Sequence, residues 1–150
     1  IELADGRLLS WGLDDTLRLW DNAGNPLTTL SGHAGGVLGA IELADGRLLS
    51  WGLDDTLRLW DGNGNPLAML VGHTGEIWGA IELADRRFLS WGSDGTLRLW
   101  DNDGGLLVTR VEHTSAVKGC SCRGVSIIPS AFGRITPTYT NMPAPACSAI

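Results

Sequence analysis

Long apolar runs are missing from this chain of 150 residues. No stretch approaches the roughly eighteen apolar residues that a membrane-crossing helix needs, so none is encoded. Basic residues are scarce: eleven Lys and Arg stand against seventeen Asp and Glu, a formal charge of -6. That balance opposes a large nucleic-acid interface, which is built on phosphate neutralisation. Cysteine is confined to Cys120, Cys122 and Cys147. The short-spaced Cys-Ser-Cys has no further ligands nearby and carries no metal or disulfide reading. Histidine is as thin, and His33, His73 and His113 each stand forty residues from the next, with no second ligand at metal-binding spacing. The length suits one domain with one core. The chain opens on Ile1, which leaves room upstream for a leader or a further domain and leaves the compartment open.

What is present is unevenly spread. Residues 1–118 hold all seventeen acids, nine of the eleven bases, all seven Trp and all three His, whereas residues 119–150 hold four of the six Pro and the only Tyr, Tyr139. The first text is a repeat. Ile1 to Asp21 is identical to Ile41 to Asp61, residues 1–40 match 41–80 at 31 of 40 positions, and 81–120 match 41–80 at 23 of 40. A forty-residue unit cannot bury its own faces and must stack on its neighbours. Within one period RLLSW and TLRLW alternate with period two across a Gly-Leu-Asp-Asp turn, and Asn-Ala-Gly-Asn-Pro in the first unit or Gly-Asn-Gly-Asn-Pro in the second marks the next turn. Four short strands per unit and no helical stretch predict an all-β fold.

Gly32-His33 to Trp60-Asp61 and Gly72-His73 to Trp100-Asp101, each with 26 residues between His and Trp, resemble the Gly-His and Trp-Asp marks of the WD-repeat (WD40) β-propeller. The resemblance covers about residues 1–118. It implies blades, each a four-stranded antiparallel sheet, in an incomplete propeller of about three. On that reading 1–31 is a partial blade of strands b, c and d, 32–71 and 72–111 are blades, and 112–118 begins another. One blade divides into strand a at 37–43, b at 47–52, c at 56–61 and d at 66–71. Near-perfect arrays are familiar among bacterial members of the family.

The resemblance also implies a structural tetrad: His33, Ser50, Asp54 and Trp60, then His73, Ser90, Asp94 and Trp100, with Ser10, Asp14 and Trp20 in the opening unit. There the Trp indole N–H bonds the Ser hydroxyl, the Ser bonds the His ring, and the Asp fixes the His tautomer. The physical logic stands by itself, because an unpaired buried imidazole or indole costs on the order of 1–3 kcal/mol. A hydrolase triad uses the same residue types, but a catalyst needs one exposed nucleophile and an oxyanion hole, whereas this set recurs in register beside a Trp donor. Trp11, Trp51 and Trp91 follow the Ser; alternation puts them on the opposite strand face, where they pack between blades or line an aromatic ligand pocket.

Specificity is expected where the copies disagree, since loops on a rigid frame carry function. Three residues past the His stand Gly36 and Glu76; five past it stand Leu38, Trp78 and Lys118; just before the Asp stand Leu13, Leu53 and Ser93. By resemblance these positions lie on the rim of one propeller face and contact protein partners. The expected function is a non-enzymatic scaffold binding a protein or peptide, with no cofactor, metal, nucleic acid or membrane. Alternatives are a lectin-like or small-ligand propeller, a β-trefoil, disfavoured by the Gly-His to Trp-Asp register, and the sensor region of a larger enzyme. Propellers close with roughly four to eight blades, so a three-blade arc predicts a longer array or self-association into a ring.

Residues 119–150 read as blade sequence in another frame. Shifted by two bases from Gly119 through Gly133, the permitted codons include LLLSWGLDNTLRLW, which agrees with Arg47 to Trp60 at twelve of fourteen positions. The four Pro of this segment fit a loosely attached end.

Overall fold

Alternation in RLLSW and TLRLW shapes the inner strands, and the Gly-, Asn- and Pro-rich turns between them set their ends. The computed structural model describes residues 1–111. Eleven strands follow in order: β1 (Leu8–Trp11), β2 (Thr16–Trp20), β3 (Pro26–Ser31), β4 (Val37–Glu42), β5 (Leu48–Gly52), β6 (Thr56–Trp60), β7 (Pro66–Val71), β8 (Ile77–Glu82), β9 (Phe88–Gly92), β10 (Thr96–Trp100) and β11 (Leu106–Val111). They form three antiparallel sheets, β1-β2-β3, β4-β5-β6-β7 and β8-β9-β10-β11, each with neighbours in chain order. Among the described residues there is no helix, and the sheets form an open series of blades rather than a closed barrel. The expectations for 112–118 and 119–150 lie outside the described residues.

Strands a, b and c of the second blade end or begin one residue inside the expected bounds. Leu43 and Asp61 are already turn residues: the Leu43 N–H donates to the Arg47 carbonyl and the Asp61 N–H to the Asn65 carbonyl. The first turn tightens at Gly6 and Gly46 with φ near 85°, a left-handed backbone. Arg86 occupies the matching place in the third copy at φ 70°, a conformation that crowds a Cβ.

The middle sheet buries both faces, in two different junctions. Leu3, Leu9, Leu17, Leu19 and Leu30 of the first sheet meet Val37, Ala40, Leu48 and Trp60 of the second. Leu43, Leu49, Trp51, Leu57, Leu59 and Leu70 of the second meet Ile77, Ala80, Phe88 and Trp100 of the third. Strand alternation sorts them: Leu48 and Ser50 face backward, Leu49 and Trp51 forward. The core therefore lies between units, and burying a leucine at either junction stabilises by about 2 kcal/mol.

Candidate functional site

In the second blade, β5 presents Ser50 and β6 presents Trp60, while the β3–β4 loop presents His33 and the β5–β6 turn Asp54. The Trp60 indole N–H donates to Ser50 Oγ at 2.9 Å, Ser50 Oγ lies 2.8 Å from His33 Nε2, and His33 Nδ1 lies 2.9 Å from the Asp54 carboxylate. The third blade repeats the chain: Trp100 to Ser90 at 2.9 Å, Ser90 to His73 at 2.8 Å, His73 to Asp94 at 2.9 Å. Proton counting gives the direction. A carboxylate only accepts, so Nδ1 carries the ring proton, and Nε2 accepts the hydroxyl proton of a serine that itself accepts from tryptophan. In the first unit Trp20 donates to Ser10 at 2.8 Å, and Asp14 is taken by Thr16 and Arg18. Ser10, Trp11, Asp14 and Arg18 border a shallow cavity there.

Burial pushes the His33 and His73 rings below the usual 6.5, against the hydrogen bonds of Asp54 and Asp94, which act to raise them. Both rings are therefore neutral near pH 7. Burial acts to raise the Asp94 carboxyl, but the Thr74 and Thr96 N–H groups, the Thr96 hydroxyl and the His73 ring outweigh it and bring it from 3.8 to about 2. Asp54 is lowered in the same way, with the Ala34 N–H, the Thr56 hydroxyl and the His33 ring overcoming burial. Ser50 and Ser90 have no exposed surface, so neither oxygen can meet a substrate where it stands.

Trp51 is buried in the second junction, its ring lying over Gly39, where a Cβ would collide with it. Trp91 stands over Gly79 in the same way. Close approach of strand to ring is what glycine permits on β4 and β8.

The variable positions gather along one edge of the sheets. Backbone bonds knit the loops: Val37 N–H to the Gly12 carbonyl, Leu53 N–H to the Gly36 carbonyl, Ser93 N–H to the Glu76 carbonyl. Gly36 is itself buried, with Leu13 and Leu53 against it, so it offers spacing rather than surface. Leu13 is 75% exposed, Trp78 43%, Leu53 39% and Leu38 38%. Glu76 is exposed and Ser93 half-buried. Lys118 lies outside the described residues.

Contacts between units escaped the sequence reading. The Ala4 N–H donates to Glu42 Oε2 and the Ala44 N–H to Glu82 Oε2, both at 2.7 Å, and Arg47 grips the Asn102 side chain and carbonyl. The recurrence of Ile-Glu-Leu-Ala-Asp was the available signal.

Known proteins bear on this arrangement in two ways. The family model described as WD domain, G-beta repeat matches residues 24–61 and 64–101. Among solved structures, the WD40 beta propeller domain of Doa1 superposes with a TM-score of 0.64 at 26% identity, over 76% of this chain and 39% of that one. No curated protein matches.

Proposed function

Because the chain belongs to the WD40 repeat family, two repeats of which match within it, we propose that it is a non-enzymatic scaffold that binds a protein or peptide through its loop rim. Propellers of this family generally bind proteins or peptides. The observation that carries the reading is the division of labour along the chain. The His, Ser, Asp and Trp of the second and third blades are spent on one another, and among the residues that vary between copies Leu38, Leu53 and Trp78 stand outward. An exposed tryptophan is among the residue types most enriched at binding hot spots. A sugar or small-ligand pocket built on Trp11, Trp51 and Trp91 has less support, since the Trp51 ring is consumed by packing on Gly39.

The experiment is Trp78→Ala in the full chain, tested against peptides selected on the wild type from a random display library. Loss of a hot spot weakens binding about 30-fold, while an exposed substitution moves stability by no more than about 0.5 kcal/mol. Binding that survives the change, or that disappears only together with the fold, removes Trp78 from the site.

A further inference from the structure

The loops of the rim edge span 12–15, 31–36, 52–55, 71–76 and 92–95. They carry Asp14, Asp15, Asp54, Asp55, Glu76 and Asp94, and neither Lys nor Arg. On the opposite edge Asp5, Asp45 and Asp85 are each met by the arginine two residues on, Arg7, Arg47 and Arg87, while Asp21, Asp61 and Asp101 accept from the N–H groups of their own turns. Three of the rim carboxylates are already engaged, Asp14 by Arg18 and Asp54 and Asp94 by the histidines and nearby N–H groups. Asp15, Asp55 and Glu76 have no basic partner among the described residues. Asp15 and Asp55 are held at φ 65° and 61°, and each acts electrostatically on the histidine of the following blade. Asp55 and Glu76 each lie two residues along the chain from an exposed apolar side chain, Leu53 and Trp78.

Resting on the rim reading above, we propose that the partner segment is basic: a peptide in which an aliphatic or aromatic side chain adjoins Lys or Arg. The apolar group packs on Leu53 and Trp78. The cation is drawn to Asp55 and Glu76, with the Trp78 ring face as a further attraction. An acidic segment on this edge meets like charge, which disfavours it.

Three synthetic peptide pools test this against the full chain. They share the same aromatic and aliphatic positions and differ only in carrying Lys and Arg, Gln, or Glu between them. The Lys and Arg pool is expected to bind about tenfold or more tightly than the Gln pool, with the Glu pool weakest and the preference shrinking as salt is raised. In Asp55→Asn with Glu76→Gln the preference collapses toward unity; Asn tolerates the left-handed backbone at 55, so the fold is retained. Trp78→Ala weakens every pool. If the Gln or Glu pool binds as tightly and still depends on Trp78, the charge inference falls and the rim reading stands. If the basic pool binds regardless of Trp78, Asp55 and Glu76, or if no pool binds, both fall.

Discussion

Ser50 accepts a hydrogen bond from Trp60 and donates one to His33, which donates in turn to Asp54, so the buried polar groups share one set of bonds. Such a chain carries a pH signature whose sign follows from its titrating members. Folded His33 and His73 resist protonation, whereas the unfolded rings take up protons below about 6.5, so stability falls as pH drops through that range. Folded Asp94 stays ionised down to about 2, while an unfolded carboxyl protonates near 3.8. A second loss of about 2 kcal/mol therefore follows between those values. Denaturant titrations from pH 8 to pH 2.5 are expected to show both stages, and Asp94→Asn to shrink the second. Stability that holds level or rises on acidification contradicts neutral histidines in the folded chain.

At the scale of the element, the turns separate what the repeat permits from what it prefers. Gly46 enters the β4–β5 turn in a left-handed conformation, and Arg86 is forced into the same conformation between β8 and β9. The cost for a residue with a Cβ is about 1–2 kcal/mol, and the ion pair of Arg86 with Glu82, 3.5 Å apart and exposed, returns little of it. Arg86→Gly is expected to raise the stability of the chain by about 1 kcal/mol; an unchanged or lowered denaturation midpoint would show that the turn is not strained. These turns also explain what the sequence made legible. Alternation in TLRLW and RLLSW, punctuated by Gly, Asn and Pro, is local information and yields the strands to within a residue. The histidine, serine, aspartate and tryptophan were visible because side-chain types recur at fixed spacing. The reach of Glu42 to the Ala4 N–H, and of Arg47 to Asn102, depends on how one sheet settles against the next, and no period along a single strand encodes that. The burial of Gly36 was hidden for the same reason, since it is Leu13 of the preceding unit that covers it.

For the described molecule as a whole, cohesion resides in the junctions, each of which joins a forward face of leucines to a backward face carrying a tryptophan. The forward faces of the first two sheets share Leu9 and Leu49, Leu17 and Leu57, Leu19 and Leu59, Leu30 and Leu70 at matching positions. A second copy of residues 32–71 inserted after Val71 would therefore meet surfaces of the kind it already meets. In such nearest-neighbour arrays stability grows with the number of interfaces. The enlarged chain is expected to unfold at a higher denaturant concentration with a steeper transition. Two separate transitions, or none shifted, would mean the junctions are not interchangeable.

The carboxylates of the rim loops have an electrical consequence. Those loops hold six acids and neither Lys nor Arg, so the field just outside that edge is negative. A positively charged molecule diffusing nearby is drawn toward it before any atom makes contact. Ionic strength should then be felt mainly in how fast encounters succeed, and much less in how long the resulting complex lasts.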